Sequence, residues 1–294
     1  MGHRPGEFDT ILFADYSGAA SPAAQRRAIA LWRADRGGRP RKIHGPFTRE
    51  ALREEILDLL LKATREGRRV LFGIDHQWSW PRGLWAAAGL AELPWREALA
   101  ALVDGGDGRP PLGPAHVFAA AFNAWAGKAI FHCRVRGLAR AYALPTLGTW
   151  TGDPVRLAER AMAGAKPATR LGGTGAVAGQ TLVGLVELHR LLEGARHLGV
   201  PVLAWPMDAL ADDGRSHVGC EIYPSFCRPR HVPKTDDADA LWTCRWASRA
   251  DLARALDLTR APAAVREAAR LEGWILGASP TSSGRESSHG RLQG

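Results

Sequence analysis

The stretch Thr10-Ile11-Leu12-Phe13-Ala14-Asp15-Tyr16-Ser17-Gly18 decides how this chain is read. Its apolar run is short and unbroken, which marks a buried strand over residues 9–15. Tyr16-Ser17-Gly18-Ala19 then turns the chain. The strand ends on an acid, and a carboxylate there is costly unless something cationic compensates it. The arrangement recurs at Asp75, which ends Val70-Leu71-Phe72-Gly73-Ile74-Asp75. Glu221 lies in Val218-Gly219-Cys220-Glu221-Ile222-Tyr223-Pro224, and Asp236 and Asp239 open a helical pattern, Asp236-Asp237-Ala238-Asp239-Ala240-Leu241-Trp242. Four acidic clusters of this kind in one chain point to a divalent-metal site.

Outward from the first strand, Arg27 to Arg33 reads as a second strand and Asp35-Arg36-Gly37-Gly38-Arg39-Pro40 as a turn. Two strands joined this closely form an antiparallel pair. Thr48 is the expected N-cap of a helix over 49–65, with Leu52, Ile56, Leu59 and Leu60 on one face and Gly67 as its stop. Residues 69–74 form the next strand, so the helix is a right-handed crossover to a parallel neighbour. Residues 82–103 predict a helix broken at Pro94, and 104–114 a loop. Residues 115–170 predict short helices and irregular structure packed on Phe118, Phe122, Trp125 and Phe131. The Gly-rich segment 171–179 leads into a helix over 180–198 with Leu182, Leu185, Val186, Leu188 and Leu192 as its core face. Strands over 200–205 and 217–223 and helices over 237–257 and 262–272 follow, with Trp274-Ile275-Leu276 as a last edge strand. The Ser/Gly/Arg-rich residues 278–294 read as a disordered tail. No internal repeat is visible.

A length of 294 residues fits one large domain or two small ones, and 46% hydrophobic with 23% charged residues is an ordinary globular balance. The net charge of +9 favours an anionic partner, nucleic acid first. An Arg-, Ala- and Gly-rich composition of the kind GC-rich genomes produce accounts for part of that charge without any partner. Cys133, Cys220, Cys227 and Cys244 form no C-x-x-C pair and no zinc-finger spacing with His, so buried free thiols in a reducing compartment are expected. No apolar run approaches the roughly 20 residues of a bilayer span, and Met1-Gly2-His3-Arg4-Pro5-Gly6 has no signal-peptide core. The expectation is a soluble, cytoplasmic protein with no membrane contact.

Carboxylates from separate strand ends and one helix start can converge on the carboxyl edge of an α/β sheet. Hard oxygen donors of this kind suit Mg²⁺ or Mn²⁺, and two such ions about 4 Å apart can clamp a phosphodiester. Asp236 and Asp239 are three apart and share a helix face, whereas Asp237 points elsewhere, as a partner of the helix dipole. The plainer alternatives are turn residues for the strand-end acids and helix capping for Asp236-Asp237.

These residues resemble the ribonuclease H-like superfamily, and within it a predicted-nuclease family catalogued as domain of unknown function 429. The resemblance spans most of residues 8–277. It rests on Asp15, on Gly73-Ile74-Asp75, on Glu221-Ile222-Tyr223-Pro224-Ser225, and on Lys234 followed by Asp236-Asp237-Ala238-Asp239-Ala240-Leu241. The last motif also looks like the corresponding helix start of Holliday-junction resolvases. The resemblance implies one α/β domain with a mixed sheet, three antiparallel strands then parallel ones, flanked by helices; residues 82–170, long for a minimal nuclease, depart from it and read as a helical insertion, a lid or a substrate-binding element. It implies a metal-dependent nuclease acting on DNA or RNA, with Asp15, Asp236 and Asp239 as ligands of Mg²⁺ or Mn²⁺. Either Asp75 or Glu221 would be the strand-borne fourth ligand. Lys234 itself is a contact for a scissile phosphate, a support for the acids, or a surface lysine before a helix with no role. The chain departs from the family pattern after Asp75, where it has His76-Gln77-Trp78-Ser79-Trp80-Pro81.

Two other readings compete. Asp15-Tyr16-Ser17-Gly18 and the 172–179 loop could cradle nucleotide phosphates, as in phosphotransferases and ATPases of the same superfamily. A non-catalytic nucleic-acid-binding module would instead bind with strong salt dependence and no metal requirement. Among side chains, His76 is a candidate base or ligand, or else polar packing. Trp78, Trp80, Trp85, Trp95 and Trp125 are core residues or platforms for unpaired bases. The basic segments Arg26-Arg27, Arg39-Pro40-Arg41-Lys42 and Arg228-Pro229-Arg230-His231 are phosphate contacts or solvated loops.

Overall fold

The computed structural model describes residues 3–162, 166–173 and 176–280. Its centre is a six-stranded mixed sheet built from β1 (Thr10–Asp15), β2 (Ala30–Asp35), β3 (Arg41–Ile43), β4 (Val70–Ile74), β7 (Val202–Ala204) and β8 (His217–Glu221), in the order β3-β2-β1-β4-β8-β7. The first three strands pair antiparallel, and β4, β8 and β7 run parallel to β1. The expected antiparallel-then-parallel sheet flanked by helices is therefore present. β5 (His132–Cys133) and β6 (Arg170–Leu171) form a separate two-residue parallel ladder, too short to leave any pattern in sequence.

Side chains on a strand alternate between faces, and both faces of this sheet are covered. Leu12, Ala14, Val70, Phe72 and Ile74 pack on one side, against α2 (Arg49–Arg65) and α8 (Ala178–His197). Ile11, Phe13, Leu71, Val218 and Cys220 pack on the other, against α10 (Asp236–Ala247) and the segment after it. Double coverage explains why β1 is an unbroken apolar run rather than an alternating one. Each fully buried large side chain contributes on the order of 2 kcal/mol. Gly73 faces the α10 side, where an added Cβ would stand 2.5 Å from both Phe13 and Ile222.

Thr48 caps α2, accepting from the Ala51 N–H at 3.2 Å, and Leu52, Ile56 and Leu60 are its buried stripe. Residues 82–170 carry α3 (Arg82–Ala87), α4 (Trp95–Asp104), α5 (Ala115–Ala126), α6 (Arg136–Ala141) and α7 (Leu157–Arg160). Their Trp80, Trp85, Phe118, Phe122 and Phe131 anchors join the same core as the sheet and α8.

Four local expectations change. Residues 27 and 28 end a helix, α1 (Pro22–Ala28), and the strand begins at Ala30; Ser21 caps α1 and Pro22 opens it, a start signal that outweighs the apolar run. The helix expected over 237–257 stops at Ala247, where the Ser248 hydroxyl donates to the Cys244 carbonyl at 2.7 Å, and Asp251 caps a new turn, α11 (Leu252–Ala255). Trp274-Ile275-Leu276 follows α12 (Ala263–Glu272) and makes a single bridge from Ile275 to Glu221 instead of a strand. Trp125 is 38% exposed and is no packing anchor. The expected tail over 278–294 lies outside the described residues from 281 onward. All four cysteines are free. Among the described residues no helix is long and apolar enough to cross a membrane.

Candidate functional site

Strand alternation places the acids. Asp15 continues the Ile11–Phe13 face of β1, and Asp75 continues the Leu71–Gly73 face of β4, so both turn toward α10. α10 begins at the same sheet edge. Thr235 caps it, accepting from the Ala238 N–H at 3.1 Å, and Asp236, Asp237 and Asp239 fill its first turn. The result is a cleft of about 350 Å³ whose walls include Asp15, Asp75, Glu221, Lys234, Asp236 and Asp239. Every acid and the lysine singled out from sequence thus line one cavity. Asp237 does not; it accepts from the Trp32 indole at 3.1 Å and pairs with Lys42 at 2.6 Å.

Electrostatics mark the same place. Burial, then the charges of Asp75, Asp236 and Asp239, hold the Asp15 carboxyl far above the usual carboxylate range. Burial, then the charges of Glu221 and Asp239, do the same to Asp75, with Lys234 opposing. Asp236 is raised by burial and by Asp239. Oxygen donors that raise one another's pKa in one cleft are of the kind that suits a hard divalent cation. Among the described residues, no group of three His, Cys, Asp or Glu side chains stands arranged to hold a metal ion.

Two arginines answer acids of the cleft. The Nε of Arg228 stands 2.5 Å from Oδ1 of Asp239, off hydrogen-bonding angle, so the contact is an ion pair only. Arg156, which is fully buried, donates from Nη1 and Nη2 to the two oxygens of Glu221 at 2.7 and 2.5 Å. The Trp78 N–H adds a third donor to Glu221 at 3.0 Å. Glu221 also belongs to the other face of its strand: Val218 and Cys220 face α10, while Gly219 packs on Phe72 and Trp78. Its carboxylate is committed at the floor of the cleft.

Arg156 also donates from Nε to Glu159 at 2.7 Å and from Nη1 to the Glu272 carbonyl at 3.1 Å, tying the insertion to β8 and α12. Glu159 in turn accepts from Gln77, whose side-chain oxygen accepts from Thr181. Gln180, in the first turn of α8, donates to the Tyr16 carbonyl at 2.7 Å and to the Asp75 carbonyl, pinning the ends of β1 and β4 together. None of Arg156, Gln77, Glu159 or Gln180 carried a sequence signal; each acts through partners remote in the chain.

His76 lines the cleft but is packed inward. Its Nδ1 meets the Gln77 carbonyl at 2.9 Å, Nε2 has no partner, and an added Cβ at Gly184 of α8 would stand 2.7 Å from the ring. Burial pushes its pKa down to about 4, so the ring is neutral. Trp78, Trp80, Trp85 and Trp95 are all core residues. Of the basic segments, Arg41 and Lys42 answer Asp35 and Asp237 across β2 and β3, and Arg228 reaches the site. No family model, curated protein or solved structure matches the chain.

Proposed function

We propose that this protein is a divalent-metal-dependent nuclease of ribonuclease H-like type. The observation that carries the reading is the convergence of Asp15, Asp75, Asp236 and Asp239, from two adjacent parallel strand ends and one helix start, in a single cleft. The sheet order supports the same relationship. Asp15, which feels the charges of Asp75, Asp236 and Asp239, would with those three acids hold Mg²⁺ or Mn²⁺. Such ions supply charge neutralisation and an activated water for attack on a phosphodiester. Lys234 at the rim would hold a phosphate oxygen. Arg156 keeps Glu221 neutralised beneath Asp75, so Glu221 serves as a buried strut rather than as a ligand. The neutral His76 braces the strand end against α8.

The test is Mg²⁺- or Mn²⁺-dependent cleavage of a panel of single-stranded, duplex and branched DNA and RNA. Cleavage that disappears in Asp15→Asn supports the reading. No cleavage of any substrate, with the variant indistinguishable from wild type, sinks it. A phosphotransferase or ATPase remains the second reading because the N-terminal turn of α8, including Val177 and Gln180, lines the same cleft. A thermal shift with ATP and Mg²⁺, together with an inert nucleic-acid panel, would favour it.

A further inference from the structure

We propose that the exposed segment Arg134–Tyr142, carrying α6, is a landing surface for single-stranded nucleic acid. From Gly108 to Gly152 the chain contains no Asp or Glu, yet it carries Arg109, Lys128, Arg134, Arg136 and Arg140. Arg109 is buried; the other four are exposed. Arg134, Arg136 and Arg140 have no ion-pair or hydrogen-bond partner among the described residues. Arg136 and Arg140 are four apart on α6 and share a face. Three cations with no internal acid to answer them call for an anionic partner.

The apolar side chains between them narrow the choice. Val135, Leu138 and Tyr142 are 39, 37 and 39% exposed. The Tyr142 ring is stacked on His116 of α5, with centroids 4.9 Å apart and 25° between planes. It is therefore a fixed aromatic platform at the C-terminal end of α6, two positions past Arg140. Unpaired bases offer free π-faces to such a platform while the arginines follow the phosphates. A duplex offers only its phosphates, and an acidic polypeptide offers charge without bases.

The surface is joined to the cleft. β5 ends at Cys133, just before Arg134, and pairs with β6. A Cβ at Gly172, directly after β6, would stand 2.8 Å from the Cys133 sulfur and 3.2 Å from Val135. The same segment leads on to Ala176 and Val177 in the cleft wall. Cys133, next to Arg134, is thus paired with Leu171, five positions before the cleft-lining Ala176 in sequence.

The inference takes its partner from the nucleic-acid reading above but does not depend on cleavage, so binding is measured in EDTA. A fluorescent single-stranded oligonucleotide, its duplex and polyglutamate are titrated by anisotropy, at two salt concentrations. The expected result is preference for the single strand, weakened about tenfold in Arg136→Ala/Arg140→Ala and several-fold in Tyr142→Ala, with a shallower salt dependence in the arginine variant only. Turnover of a small chromogenic phosphodiester with Mn²⁺ should be unchanged in both variants. Binding unaltered by either variant, or equal affinity for duplex or polyglutamate, overturns the inference. If wild type fails to hydrolyse the small ester while these binding losses appear, the nuclease reading falls and the landing surface stands.

Discussion

Arg156 grips both carboxylate oxygens of Glu221 from a position with no exposure to solvent. Removing one partner of such a pair strands the other's charge in the core, at a cost of about 3–5 kcal/mol. Arg156→Met should therefore be strongly destabilising in denaturant unfolding. Arg156→Met combined with Glu221→Gln should recover a large part of that loss. Additive losses in the double variant would show that the two residues are not coupled.

The acids of the cleft repel one another in the ion-free protein. Asp15→Asn removes the most central of these charges, and it should raise the melting temperature at pH 8 in EDTA while abolishing metal-dependent activity. A site whose removal stabilises the fold is the usual mark of function held against stability. A melting temperature that falls in EDTA would mean that Asp15 is stabilised by contacts the cleft geometry does not contain.

The same charges set a pH dependence. A carboxyl whose pKa is raised in the folded state keeps its proton while the unfolded chain has already lost it. Each such group therefore takes stability away as pH rises from the unfolded value through the folded one. Asp15 and Asp75 both act in this direction. His76 and His217, each pushed down to about 4 by burial, act in the opposite direction, but only below about pH 6.5. Between pH 6.5 and 9 the ion-free protein should lose stability, and the thermal shift produced by Mn²⁺ should grow over that interval. A shift independent of pH would argue against ion binding at these carboxyls.

Arg228 occupies the cationic role at Asp239. An ion that uses Asp239 must displace it, so Arg228→Ala should bind Mn²⁺ about tenfold more tightly in calorimetry, a gain of roughly 1.4 kcal/mol. Unchanged affinity would remove Asp239 from the ligand set. Cleavage by this variant need not rise, because the arginine is also free to meet substrate phosphate once displaced.

Gly184 and Gly179 both lie in α8 but differ in surroundings. A Cβ at Gly184 would meet the His76 ring at 2.7 Å, whereas one at Gly179 would meet Leu171 at 3.8 Å, an ordinary contact. Gly184→Ala should cost about 1–3 kcal/mol through overpacking. Gly179→Ala should be neutral or stabilising by up to about 1 kcal/mol, as expected for a helical glycine. Chemical denaturation of the two variants separates them.

Much of this architecture is legible in the residues themselves. Thr48 with its following apolar stripe gives α2 to the residue, and the acids stand out because each interrupts a buried pattern. The face on which Glu221 lies is legible too. Val218 and Cys220 alternate with Gly219 and Glu221, so period-two reading sends Glu221 to the face away from α10. Arg156 was not legible: it precedes a four-residue helix in an irregular segment, and apart from Glu159, three residues on, its side-chain partners lie 65 and 116 residues away along the chain. α1 was misread because Ile29-Ala30-Leu31-Trp32 extends an apolar run backwards into a capped helix.

The placement of α10 across β1 has a consequence for how the molecule comes into being. The two strand acids stand at positions 15 and 75 of the chain, and the helical pair at 236 and 239. No short fragment of the chain holds both halves. The acid cluster is complete only where the late helix lies on the first strand.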